Sequence, residues 1–148
     1  MFSNFIRSLW KWLANMGLVV ADTHEMRVAE ELRTWGTSHE GLALGIALIE
    51  NDLSIALKNL GENDRTLYIG DWIAFYTVIT DAPVSSYGEL LRQAAAAKPR
   101  RQITIPAGKF IETDLPIERL YSFERNRTYS VAVECPLKLK SNTVEIVL

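Results

Sequence analysis

From Gly41 the chain reads GLALGIALIENDLSIALKNLG. Leu42, Leu44, Ile46 and Leu48 recur at every second position, so an extended strand would carry them on one face. Asn51-Asp52 is a turn pair. Leu53, Ile55 and Leu57 then resume the alternation against Ser54, Ala56 and Lys58. This predicts a hairpin of two strands, the second half-exposed through its Ser54, Ala56 and Lys58 side. A period of two offers no helical stripe, so the chain has to bury a sheet.

The same period returns downstream. RTYSVAVEC places Tyr129, Val131, Val133 and Cys135 inward against Ser130, Ala132 and Glu134. SNTVEIVL sets Val144, Ile146 and Leu148 against Thr143, Glu145 and Val147. KFIETDL sets Phe110, Glu112 and Asp114 against Ile111, Thr113 and Leu115, after a short RQITI strand and a PAG turn. NLGENDR reads as a loop. TLYIGDWIAFYTVIT is rich in β-branched and aromatic residues and reads as strand, with Gly70-Asp71 a bulge or turn within it. Seven or eight short strands separated by turn signals predict a mainly β fold, an antiparallel β-sandwich. One stretch breaks the pattern: SSYGELLRQAAAAKPRR predicts a short helix from Ser86 or Gly88 through Ala97, stopped by Pro99.

The N-terminal segment is of another kind. Phe2, Phe5, Ile6, Leu9, Leu13, Met16 and Val20 recur at spacings of three and four. They define the apolar face of an amphipathic helix, with Trp10 and Trp12 on its flanks and Arg7 and Lys11 on the polar side. Three readings stay open. The helix packs on its own domain or on a partner chain; it lies on a membrane surface; or Arg7, Lys11 and the run Trp12–Val20 form a secretory signal cut before Asp22. Phe2, Phe5, Ile6, Leu9, Trp10, Trp12 and Leu13 are its candidate membrane or partner contacts. DTHEMRVAEELRTWG continues as a short helix ended by Gly36, or as a strand ending at Trp35. The chain therefore divides into a helical segment over 1–34 and a β domain over 35–148.

With 148 residues, a net charge of −2 and no run of five like charges, the chain lacks the basic stripe of a nucleic-acid protein. No 18-residue apolar run is present, so a plain transmembrane helix is not expected. Cys135 is the sole cysteine, which removes any intrachain disulfide, and its inward position suits core packing better than a thiolate role. His24-Glu25 and His39-Glu40 invite a zinc-protease motif, but Val28 and Ala43 stand where the second histidine is needed. No metal, cofactor or catalytic set is expected from these residues. Asn126-Arg127-Thr128 is a glycosylation triplet of the kind that arises often by chance. Glu112 and Asp114 share one strand face; acid–base chemistry is one reading, and a solvated face is the preferred one.

Several of these segments resemble bacterial immunoglobulin-like β-sandwich domains, in particular the non-catalytic β domain that precedes the protease domain of deuterolysin-type metallopeptidases. The shared features are a strand ending in LKN before a glycine-containing loop, the turn IPAGK, the DL and LY steps, then TYSV and a final SN-x-V strand. The likeness covers about Trp35–Leu148. It implies a turn at Pro106-Ala107-Gly108, a crossing between sheets from Asp114-Leu115 to Leu120-Tyr121, and a core strand starting at Tyr129. The alanine-rich stretch has no counterpart in that family, and the likeness implies no protease activity.

The expected function is a non-enzymatic binding or structural module of a bacterial envelope or secreted protein, with a protein partner and no nucleic acid. A periplasmic, envelope or secreted location follows from that reading; a cytoplasmic one stays open. The excursion SYGELLRQAAAAKPRR is the candidate contact surface, with Lys98, Arg100 and Arg101, a small basic spot, as its loop contacts. Two alternatives are a membrane-surface subunit held by residues 1–20, and a protease-inhibitor-like protein or small hydrolase using Glu112 and Asp114.

Overall fold

The computed structural model describes residues 33–148. The N-terminal helix and its contacts Phe2, Phe5, Ile6, Leu9, Trp10, Trp12 and Leu13 lie outside the described residues. Ten strands run through the described residues: β1 (Thr34–Trp35), β2 (Leu42–Ile49), β3 (Asp52–Asn59), β4 (Arg65–Ile69), β5 (Thr77–Ile79), β6 (Arg101–Ile105), β7 (Phe110–Leu115), β8 (Thr128–Cys135), β9 (Leu139–Lys140) and β10 (Val144–Val147). Three helices interrupt them: α1 (Trp72–Phe75), α2 (Ser86–Ala96) and α3 (Ile117–Leu120). The fold is mainly β, and every strand pairing is antiparallel.

The β2–β3 hairpin forms as its alternation requires. Leu44 faces Leu57, Ile46 faces Ile55 and Leu48 faces Leu53 across it. Strand β7 adds to the far side of β3 with Ile111 beside Leu57 and Leu115 beside Leu53. One sheet thus has the order β1-β2-β3-β7, a second has β10-β8-β5 with β9 also on β8, and β4-β6 forms a ribbon. Leu44, Ile46, Leu53, Ile55 and Leu57 join Ile105, Val131, Val133 and Leu139 in one buried cluster fed by both sheets and the ribbon. Each such side chain contributes about 1.5–3 kcal/mol on leaving water. Tyr129, Val131, Val133 and Cys135 point inward on β8, and Ala132 is buried as well.

Side chains stitch these layers. The Asn142 amide brackets Ile46, its Oδ1 accepting the Ile46 N–H at 2.8 Å and its Nδ2 donating to the Ile46 carbonyl at 3.1 Å. Buried Asn59 donates to the Ile105 carbonyl at 2.9 Å and to the Asn63 carbonyl at 2.8 Å, tying the loop after β3 to the ribbon.

Two expectations about the strands are corrected. The second face of β3 is not half-exposed: Ser54 and Ala56 are both 0% exposed. Trp35, Phe110 and Ala56 form a small second cluster on that face, the two rings meeting edge-on with centroids 6.5 Å apart. Of the two readings open for the stretch up to Gly36, the strand ending at Trp35 is the one that forms: β1 pairs with β2 through Thr34 and Trp35. The stretch TLYIGDWIAFYTVIT is not continuous strand. Asp71 accepts the Ile73 N–H at 2.9 Å and starts α1, which stacks Trp72 on Tyr76 at 5.4 Å and buries both.

Candidate functional site

The excursion predicted after Ala82 forms α2 and delivers the loop with Lys98, Arg100 and Arg101. Ser85 caps it, its Oγ accepting the Gly88 N–H at 2.9 Å while its hydroxyl donates to the Arg119 carbonyl at 2.5 Å. Gly88 is required by close approach: a Cβ there would lie 2.3 Å from the Leu120 carbonyl oxygen. Helix α2 therefore lies directly on α3. Arg92 reinforces that contact by donating to the Tyr121 hydroxyl at 2.5 Å. Arg119 lies over the Tyr87 ring at 4.4 Å, a cation–π contact on the outer side.

Beyond α2, the chain turns back along α1. Lys98 donates to Asp71 Oδ2 at 2.7 Å, while the other oxygen of the same carboxylate caps α1. One carboxylate thus ties the start of α1 to the tail of α2. The lysine side chain is 60% exposed, so the pair itself stabilises by no more than about 1 kcal/mol. Its effect is positional.

Between this tail and β7 lies an open cleft of about 540 Å³. Asp71, Lys98, Arg101, Thr113 and Asp114 supply its polar groups, and Trp72, Pro99 and Leu115 its apolar ones. Among the described residues β7 pairs only with β3, so its Thr113–Leu115 stretch forms one wall with an open strand edge. Of the three predicted contacts, Lys98 and Arg101 line the cleft, whereas Arg100 is exposed outside it. The sequence reading placed a bulge or turn at Gly70-Asp71 but missed the capping role of Asp71 and the helix α1. An Asp after a glycine and ahead of four non-glycine residues is a cap signal, but the aromatic composition outweighed it.

Glu112 is corrected. It does not face water; it is 6% exposed and its Oε2 sits 3.5 Å from Arg33 Nη2. Arg33 also donates to the Gly45 carbonyl at 2.8 Å, the Ser54 carbonyl at 2.7 Å and the Ser54 Oγ at 2.6 Å. Asp114 is half-buried at the cleft. The two carboxylates therefore have different surroundings, one engaged by a buried guanidinium and one half-buried in the wall of the open cleft. Cys135 is buried, and burial pushes its thiol above the usual cysteine range. His39 is exposed on the loop before β2, with Nε2 3.8 Å from Glu40 Oε1.

No known protein-family model matches the chain, and no curated protein matches it.

Proposed function

We propose that the protein is a non-enzymatic binding module of an envelope or secreted protein, built on an immunoglobulin-like β-sandwich, that holds a protein partner at the cleft between the tail of α2 and β7. The observation that carries this is the placement of Lys98 and Arg101 on a rigid frame, opposite an edge of β7 that no other strand among the described residues pairs with. Loops fixed by a scaffold are where binding residues concentrate, and an extended peptide can pair with such an edge.

Strand order supports the sandwich. The sequence β2-β3-β7 in one sheet and β10-β8-β5 in the other corresponds to the A-B-E and G-F-C orders of an immunoglobulin-type domain. The step from β7 through α3 to β8 runs from one sheet to the other, which supports the sandwich reading. Tyr129, one residue into β8, accepts the Glu124 N–H at 3.0 Å, which has the form of a tyrosine corner. A binding rather than catalytic role is supported by the engagement of Glu112 with Arg33 and by the inward, burial-shifted Cys135. Both side chains serve packing.

The test is a photo-crosslinking amino acid placed at Arg100, in cells that make the protein. A discrete crosslinked polypeptide that disappears in a Lys98→Glu, Arg101→Glu background is expected. No discrete product, or one indifferent to those charges, overturns the assignment.

A further inference from the structure

A separate cleft of about 380 Å³ lies between the Trp35–His39 segment and β9. Its walls are fixed by backbone contacts. A Cβ on Gly36 would lie 2.0 Å from the Lys140 carbonyl oxygen, so the segment leading to His39 lies hard against β9. Gly36 donates to the Leu44 carbonyl at 2.9 Å, and the His39 N–H to the Leu42 carbonyl at 2.9 Å. The turn between them and β2 is tight, with Glu40 at φ 51° and Gly41 at φ 77°. On the other wall Lys138 occupies the left-handed region at φ 60°, at the end of the β8–β9 turn. The Ser141 hydroxyl is already used, accepting the Val133 N–H at 2.8 Å and donating to the Asn142 carbonyl at 2.7 Å.

Lys138, Lys140 and His39 line this cleft together with the hydroxyls of Thr37 and Ser38, and among the described residues that line it none is acidic. All five of these side chains belong to exposed residues, so their donors reach a ligand without a prior opening step. Two carboxylates flank the cleft from outside its lining: Glu40 beside His39, and Glu134 opposite Lys140 on β8. Both are exposed residues, where water and salt screen them. Two ammonium groups, an imidazole and two hydroxyls put positive charge and several hydrogen-bond donors around one space. A phosphoryl group matches them, with three acceptor oxygens and up to two negative charges.

We propose that this cleft binds the phosphoryl group of a small phosphorylated ligand, through Lys138, Lys140 and His39 with Thr37 and Ser38 donating to its oxygens. The site is distinct from the cleft between the tail of α2 and β7, and either assignment stands without the other.

The test is calorimetric titration of the full chain with inorganic pyrophosphate and inorganic phosphate at low ionic strength, with sodium acetate as control. Saturable one-to-one binding is expected, weakened at least tenfold in a Lys138→Gln, Lys140→Gln variant of unchanged melting temperature. A His39→Gln variant should weaken it independently. Amide signals of residues 36–39 and 138–140 should move together on titration. Absence of saturable binding to both phosphates overturns the proposal. So does equal binding by the lysine variant, or acetate bound as tightly as phosphate.

Discussion

Arg33 and Glu112 form a charged contact inside a β face that is otherwise made of small and aromatic side chains. Their side chains are 0% and 3% exposed. A buried pair is a weak source of net stability, but removing one member takes a charged contact from a low-dielectric site, and such losses reach about 3–5 kcal/mol. Arg33 has a further task, since it donates to two main-chain carbonyls on β2 and β3. Arg33→Ala should therefore cost more than Glu112→Ala, because it also removes the hydrogen bonds to those carbonyls and to the Ser54 hydroxyl. The pair should be non-additive: in urea unfolding, the double variant should be less destabilised than the sum of the two singles. Additive losses would mean that the 3.5 Å contact couples them little. Gly88 is the other residue with a sharp expectation. Gly88→Ala drives a methyl group into main-chain atoms that no side-chain rotation can clear. It should lose about 2 kcal/mol or more, by analogy with overpacked cores, and the melting temperature reads the loss.

The elements divide by how local their causes are. Helix α2 is set by its own sequence: Ser85 at the cap, alanines through the body, Pro99 after the end. Ser85→Ala should cost about 1 kcal/mol as a lost cap. The variant should also loosen α3, because the same hydroxyl reaches the Arg119 carbonyl. Amide exchange should then rise at Gly88 and across Ile117–Leu120 together; a rise confined to α2 would separate the two helices. The β2–β3 hairpin, the IPAGK turn and strands β7, β8 and β10 were legible because alternation is a local signal. The burial of Ser54, Ala56 and Glu112 was not. Alternation says which residues share a face, whereas whether the polar face is covered depends on Arg33 and Trp35, which sit far off in sequence. Likewise the pairing of Lys98 with Asp71 needs two segments 27 residues apart to meet, and no period records that. Helix α1 escaped because β-rich composition describes the strands on either side of it better than the single turn between them.

At the scale of the whole molecule, the core carries acids that stay protonated while it is folded. Tyr76 is 2% exposed, and burial holds its phenol well above the ordinary value of 10.0, with Cys135 adding to the upward push. Burial likewise raises Cys135 from 9.0 and Tyr121 from 10.0. In each case the folded chain keeps a proton that the unfolded chain gives up. Below the unfolded values both states are protonated, and these groups add no pH dependence. As pH climbs through about 9 to 10 the unfolded state ionises first, so stability falls with rising pH until the folded groups also titrate. The three residues belong to one buried cluster shared by both sheets, so the loss should appear as one cooperative alkaline transition rather than as local fraying. Tyr76→Phe removes the most strongly shifted of these groups. Phenylalanine fills the same space beside Trp72 and has no hydroxyl to ionise. Melting temperatures from pH 8 to pH 11 should decline less steeply for Tyr76→Phe than for the parent, with the curves diverging only above about pH 9. Parallel curves across that range would mean that the phenol ionises alike in folded and unfolded chains, and that the alkaline limit lies elsewhere.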